Sequence, residues 1–290
     1  LITEIKAASA LHHLKRKIPY GWDLNIYRGC SHGCIYCYAL YSHSYLGFGD
    51  DQSFHSEIQV KTNIVELLER ELSAGSWKRE VINIGGVTDS YQRAEADYRL
   101  MPEILKLLIK YQTPAIISTK SDLILRDYDL IDQLSRITYI NIAATITTAD
   151  EKIRALIEPG SSPTTARLAM LKEFKKTKAS IGFHMMPILP LITDSPENLE
   201  QLCRAAMDCG ADYLLPGVLY LRGQTRTRYF SFLESEFPNL IPQYRELYKK
   251  GGADQDYKQE LYKKLNLFRE MYNVPKSYMK PMRDRLNRVT

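Results

Sequence analysis

Apolar, β-rich runs alternating with helical stretches constrain this chain more tightly than any other feature. The runs fall at Leu24–Tyr27, Val81–Gly86, Ala115–Thr119, Tyr139–Ile146, Ile181–Met186 and Tyr213–Leu219, with a short extra strand expected at Glu57–Val60. Between them, Ile64, Leu67, Leu68 and Leu72 share one face of a helix expected over residues 63–74. Pro102 suits the first turn of a helix running to Tyr111, and Tyr128–Leu134 reads as helical. Thr148-Ala149-Asp150-Glu151 has the capping-box pattern that starts a helix. Further helices are expected from Ser162-Pro163 to Lys176 and from Ser195-Pro196 to Cys209-Gly210. Strands separated by helices imply parallel pairing. About six such units before residue 222 predict an α/β fold, a partial (β/α)6 TIM-like barrel with a helical C-terminal extension. A doubly wound sheet is the alternative, but no Gly-x-Gly-x-x-Gly follows the first strand, which weighs against its dinucleotide-binding form. The expected organisation is an N-terminal segment (1–22), the barrel (23–222) and a helical C-terminal cap (223–290).

At 290 residues the chain buries a substantial core. No apolar run approaches the roughly 18 residues that span a bilayer, and the N-terminus lacks the charged-then-apolar layout of a signal peptide. The expectation is a cytoplasmic protein with no membrane partner. A net charge of +5 permits a polyanionic partner without demanding one.

Three of the five cysteines, Cys30, Cys34 and Cys37, fall within eight residues at C-x3-C-x2-C spacing. An odd count with three crowded together is a poor disulfide framework and reads as metal-binding or catalytic. Structural zinc and ferredoxin-type clusters ordinarily take four protein ligands. No fourth cysteine lies nearby, so three thiolates on an iron–sulfur cluster leave one iron open to a small ligand. The competing reading is a non-enzymatic zinc or Fe–S module, in which His32 or His43 completes a Cys3His set. Cys203 and Cys209, on or just past a helix, read as core residues.

The string from Asn25 to Ala39 that contains the triplet resembles the radical SAM superfamily, and within it the spore photoproduct lyase-like branch. The resemblance extends over most of residues 20–222. It implies that Cys30, Cys34 and Cys37 hold a [4Fe–4S] cluster whose fourth iron is chelated by S-adenosylmethionine (SAM). It also implies that the reduced cluster splits SAM to a 5′-deoxyadenosyl radical, which abstracts a hydrogen atom from a substrate. An electron donor such as flavodoxin or ferredoxin is then a partner. Further SAM contacts follow from the same resemblance. They are the turn Gly85-Gly86-Val87-Thr88-Asp89 toward the amino group, Lys120 with Ser121 toward the carboxylate, and a hydroxyl from Thr145, Thr147 or Thr148. Arg154, Glu158 and Arg167 match a further Arg and Glu-Pro-Gly element, as cofactor contacts or as a structural ion pair. Tyr36 is expected to pack toward adenine, and Tyr36 and Tyr38 match the family's hydrogen-relay tyrosines. Pro187-Ile188-Leu189-Pro190 is either an apolar adenine contact or a plain loop.

The resemblance breaks at one place. Spore photoproduct lyases carry a hydrogen-donating cysteine near the glycine turn, and this chain has none between Cys37 and Cys203. The lyase reaction is therefore not implied, while SAM cleavage is. Tyrosines interleave with arginines at 221–229, which suits a nucleic-acid groove or a solvated helix face. Nucleic acid competes with a peptide or a small metabolite as the substrate.

Overall fold

The computed structural model describes residues 1–15, 18–47 and 52–286. Among these, ten strands form two sheets: β1 (Ile2–Ile5), β2 (Leu11–His13), β3 (Trp22–Leu24), β4 (Tyr27–Arg28), β5 (Ile58–Lys61), β6 (Ile82–Ile84), β7 (Ala115–Thr119), β8 (Ile140–Thr145), β9 (Ser180–Ile188) and β10 (Tyr213–Val218). The larger sheet runs β10-β9-β8-β7-β6-β3-β2; all its pairings are parallel except that of β2 with β3. β3 and β6–β10 give six parallel strands whose sheet does not close on itself, the partial barrel expected. The small sheet, β1-β5-β4, carries the chain into the cysteines.

Among the described residues thirteen α-helices accompany the strands. In chain order they are α1 (Tyr41–Ser44), α2 (Ser53–Ser56), α3 (Ile64–Leu72), α4 (Ala94–Tyr98), α5 (Leu100–Lys110), α6 (Tyr128–Ile137), α7 (Glu151–Ile157), α8 (Thr164–Phe174), α9 (Pro196–Asp208), α10 (Gly223–Glu236), α11 (Ile241–Leu247), α12 (Gln255–Met271) and α13 (Met279–Leu286). The last four residues of the expected cap, 287–290, lie outside the described residues.

Strand alternation divides the large sheet chemically. Leu24, Ile82, Ile84, Ile117, Ile142, Ala144, Ile181 and Phe183 point to one face and join a core with Leu68, Leu105, Leu134, Phe174 and Leu202 of the helices. By register, the other face carries Asp23, Asn83, Ser118, Asn141, Thr145, His184 and Tyr213. The helices therefore cover the apolar side, and the polar side lines the barrel interior. At the N-terminal end of the strands, Val81, Ile116 and Tyr139 pack with Met282 of α13, which stops that end of the barrel.

Four sequence expectations need correction. The first strand does not run from Leu24 to Tyr27. The Asn25 side chain accepts from Val87 N (3.0 Å) and its carbonyl from Lys61 Nζ (2.5 Å), so the chain leaves one sheet and re-forms as β4 in the other. The N-terminal segment holds two strands where none was expected, because β1 is mostly exposed and shows no alternation. The capping box does not form at Thr148. Asp150 caps α7 by accepting from Lys152 N and Ile153 N, and the Glu151 carboxylate accepts instead from Thr164 N. A short helix, α4, precedes the one expected at Pro102, which starts earlier, at Leu100.

Candidate active site

The cysteine loop follows β4, and several of its peptides are fastened to different parts of the fold. Gly29 sits at φ +80°, and a Cβ there would lie 2.7 Å from Glu57 O. Its carbonyl accepts from Thr88 Oγ1 (2.5 Å) and Gln92 Nε2 (3.1 Å). Cys30 N donates to Phe54 O, and Cys30 O faces His55 Nδ1 at 2.8 Å. Ser31 N donates to Gln92 Oε1 (2.9 Å), Ile35 N to Ile157 O (3.1 Å), and Thr225 Oγ1 of α10 donates to Cys37 O (2.8 Å). Gly160 approaches the loop so closely that a Cβ would stand 2.4 Å from Ser31 O.

The three thiols end up buried or nearly so, and burial pushes all three above the usual thiol range, Cys34 to about 12. Against that, backbone hydrogen bonding at His32 lowers the Cys30 value and at Ala39 the Cys37 value. Such bonds favour thiolates, the form that binds metal. Among the described residues, no three His, Cys, Asp or Glu side chains converge on a single metal point. A cluster, in which each thiolate takes its own iron, does not require that convergence. His32 and His43, the candidate fourth zinc ligands, are engaged elsewhere: His32 with Asp89 and Gly160 O, His43 with Glu57 O. The donor set fits an iron–sulfur cluster held by Cys30, Cys34 and Cys37.

Strand ends bring the other candidates to this side. Asp89 is 7% exposed, accepts from Tyr91 N (2.9 Å), Thr119 Oγ1 (2.8 Å) and Lys120 N (2.8 Å), and stands 2.9 Å from His32 Nε2. Burial raises its pKa, but His32 and the backbone donors prevail and hold it at about 2. Thr88 is spent on Gly29 O, and Ser121 caps the 3-10 turn Asp122–Asp127 by accepting from Leu123 N. Gly86 O accepts from the Tyr38 hydroxyl, while the Tyr38 ring is exposed.

Glu158 and Arg167 are both fully buried and pair at 2.7 Å. Arg167 also donates to Ser162 O (2.9 Å), Thr145 O (2.5 Å) and Ser161 Oγ (3.0 Å). Burial pushes the Glu158 carboxyl up, but Arg167, Lys120 and the Tyr36 hydroxyl outweigh it and leave the pKa lowered. Arg154 reaches Glu151, Glu158 O and Ser161 O. These residues brace one another and the cysteine loop.

Two candidates keep open polar atoms. The Lys120 ammonium lies 5.8 Å from the Tyr36 ring centroid and has no hydrogen-bond acceptor among the described residues. Burial disfavours its charge, but Cys34, Glu158 and Asp89 keep its pKa raised. Of the three threonines, Thr147 faces Glu158 (3.4 Å) and Thr148 faces Asn198 (3.3 Å), whereas the Thr145 hydroxyl makes no hydrogen bond among the described residues. Cys203 on α9 and Cys209 at its C-terminal cap sit in the core, on the apolar side of the sheet, and bring no thiol to the site.

The sequence reading passed over His184. Level with Thr145 in register, it faces the barrel interior. Asn141 Nδ2 donates to Ser180 O, so its Oδ1 accepts from the Tyr213 hydroxyl (3.0 Å), leaving His184 Nε2 as donor to that hydroxyl (3.1 Å). Burial and the Lys120 charge lower the His184 pKa to about 4. A histidine whose folded pKa lies below its unfolded value stabilises fully above about pH 6.5 and loses that contribution as pH falls toward 4. His184→Gln should therefore flatten stability between pH 6.5 and 4 by about 3 kcal/mol relative to the parent. Urea unfolding at both pH values checks this; parallel pH profiles for the two proteins would refute it.

Together the open barrel, the buried cysteine loop and the strand-end turns define a radical enzyme built around an iron–sulfur cluster. The chain belongs to the radical SAM superfamily, which it matches over residues 24–203. The cofactors are a [4Fe–4S] cluster and SAM. An uncharacterized protein of Mycobacterium tuberculosis is 37% identical over 252 residues, covering 86% of this chain and 74% of that one. Another, from Methanocaldococcus jannaschii, is 31% identical over 194 residues, covering 67% and 70%. Among solved structures, spore photoproduct lyase complexed with dinucleoside spore photoproduct has the same fold. Its TM-score is 0.69 at 14% identity, over 93% of this chain and 79% of that one. No helix among the described residues is long and apolar enough to cross a membrane.

Proposed function

We propose that this enzyme cleaves SAM reductively and uses the product to abstract a hydrogen atom from a nucleic-acid substrate at the open, C-terminal end of the barrel. The observation that carries the SAM site is the Lys120 ammonium, half-buried beside the cysteine loop with no hydrogen-bond acceptor among the described residues. When bound, the cluster and SAM supply a 5′-deoxyadenosyl radical; the protein supplies position and a dry cavity. Lys120 binds the SAM carboxylate as a charge-assisted partner. Thr145 offers a hydroxyl to the ligand, and the Gly85-Gly86 backbone allows close approach. Tyr36, fixed by Glu158, presents its ring next to Lys120. Asp89, Arg154, Glu158 and Arg167 position these groups and do not themselves touch SAM.

The substrate class rests on the surface near Tyr38. Tyr38, Tyr41, Tyr45 and Tyr220 are exposed, the Arg222 guanidinium lies 5.0 Å from the Tyr220 ring centroid, and Arg226 lies 4.8 Å from that of Phe230. Exposed aromatic rings offer stacking to bases, and arginines offer charge to phosphates. The fold of a photoproduct lyase supports the same reading. With no further thiol at the site, the hydrogen-return step of a lyase is not part of the proposal.

Lys120→Ala should weaken SAM binding to the reconstituted enzyme by 10- to 100-fold while leaving about four irons bound, an order of magnitude typical of a charge-assisted hydrogen bond. Equilibrium dialysis with labelled SAM and iron analysis measure both; unchanged SAM affinity would remove Lys120 from the site. Fluorescence anisotropy with a labelled single-stranded oligonucleotide tests the substrate class. Binding that weakens steeply with salt supports it, and no binding at low salt refutes it.

A further inference from the structure

Asp23 is a carboxylate of the barrel interior that takes no part in the SAM site. It lies on β3, with Asn83 beside it on β6 and His12 opposite it on β2. Leu24, Ile82 and Ile84 turn to the apolar face, so Asp23 and Asn83 turn to the polar one. Asn83 Nδ2 donates to Asp23 Oδ1 at 2.8 Å and fixes the carboxylate. Asp23 Oδ2 has no hydrogen bond and no ion pair among the described residues; His12 is exposed and does not reach it. Asp23 and Asn83 are both half-buried. Gly86 stands directly over them. A Cβ there would lie 2.9 Å from Asp23 Oδ2 and 3.1 Å from Asn83 Nδ2, so only glycine leaves the carboxylate its place. Gly86 O accepts from the Tyr38 hydroxyl, and the Tyr38 ring is 60% exposed. One residue thus ties an open aromatic ring to an unpaired carboxylate oxygen, next to the cysteine loop.

A carboxylate in a nucleic-acid groove repels phosphates, so general affinity does not account for it. Specific recognition does. An unpaired base is read by stacking on an aromatic ring and by hydrogen bonds along its edge. A carboxylate oxygen only accepts, and an exocyclic amino group is its natural partner on a base. Cytosine, adenine and guanine carry that group. Thymine does not: its ring N–H lies between two carbonyl oxygens, which a carboxylate repels. The second Nδ2 hydrogen of Asn83 is left to donate to the ring nitrogen beside the amino group of cytosine or adenine. We propose that Tyr38, Asp23 and Asn83 form a base-reading subsite that stacks one unpaired base and selects an exocyclic amino group. This rests on the nucleic-acid reading above and narrows it to a class of base.

Fluorescence anisotropy with labelled oligo-dC and oligo-dT of equal length, on the reconstituted enzyme with SAM at one low salt concentration, tests it. The ratio of the two affinities is the readout, because removing a carboxylate strengthens binding to any polyanion. The wild type should bind oligo-dC at least about fivefold more tightly than oligo-dT, and Asp23→Asn should bring the two within about twofold. Tyr38→Ala should weaken both by about threefold or more, since stacking is blind to the base. Equal affinities in the wild type overturn the proposal, and so does a preference that survives Asp23→Asn or a Tyr38→Ala protein that binds as the wild type does. If Asp23→Asn does not fold, Asn83→Ala carries the test: a smaller ratio supports the subsite and an unchanged one overturns it. SAM also carries amino and hydroxyl donors, and equilibrium dialysis tells the two sources apart. A loss of SAM affinity in Asp23→Asn with the base preference intact gives the carboxylate to the cofactor and overturns the proposal. Failure of both oligonucleotides to bind sinks the nucleic-acid reading itself, whereas binding without preference sinks only this subsite.

Discussion

Cys34→Ala protein, reconstituted anaerobically and reduced with dithionite, releases 5′-deoxyadenosine from SAM at least 1000-fold more slowly than the parent. The expectation follows from the ligand count. The loop contributes three thiolates, and the two cysteines elsewhere are buried in the core on α9 and at its cap. Among the described residues no other side chain is placed to substitute, since His32 and His43 are committed to other partners. Removing one ligand of three leaves a cluster with two protein anchors, which is the difference between a held and a labile cofactor. Cys34 is also packed with Ile35, Tyr36, Ile157, Leu189 and Leu219, so an alanine there leaves an apolar gap and not a water-filled site. Liquid chromatography of the quenched reaction gives the result. Equal rates in the two proteins, at matched iron content, would remove the cysteines from the chemistry and return the zinc-module reading.

Arg167→Ala should lower stability by about 3–5 kcal/mol, because it strands the Glu158 carboxylate at zero exposure. Near 290 residues that corresponds to a fall of roughly 10 °C in Tm. The guanidinium also satisfies the carbonyls of Ser162 and Thr145 and faces Ser161 Oγ, so an ammonium cannot replace it, and Arg167→Lys should recover less than half of the loss. Arg167→Met with Glu158→Gln should be far less destabilising than the single alanine change, since no buried charge is then left unpaired. Urea denaturation of the metal-free proteins measures the series. A loss below 1 kcal/mol for Arg167→Ala would show that the pair is dispensable to the fold.

The barrel was legible in the sequence because its strands obey local rules. Ala115–Thr119 was bounded to the residue, and Ser195 caps α9 by accepting from Asn198 N, as the Ser-Pro pair suggested. Reading failed where distant groups override local preference. Asn25 looks like a strand residue until Val87 and Lys61 claim its side chain and carbonyl. Thr148 looks like a cap until Thr164 N captures Glu151. The cysteines declared themselves by spacing, but Gln92, His55 and Thr225, which hold their backbone, carry no motif and lie 25 to 188 residues away. His184 gave a weak signal, a lone histidine within an apolar strand, and only register reveals which face it takes. Asp89 was expected against SAM; its place in the sequence was informative, but its four protein partners come from three separate segments.

Thr225 holds the carbonyl of Cys37 from 188 residues further along the chain. At typical ribosomal speeds of about 5–20 residues per second, the cysteines leave the tunnel roughly 10–40 s before that partner exists. Pro159 and Gly160, which press on the loop, also emerge late. During that interval the thiols belong to an unfinished, solvent-accessible segment, open to oxygen and to stray metal. The loop is complete for a cluster only once Gly160 and Thr225 have joined it, and the yield of active enzyme depends on keeping the nascent loop reduced until then.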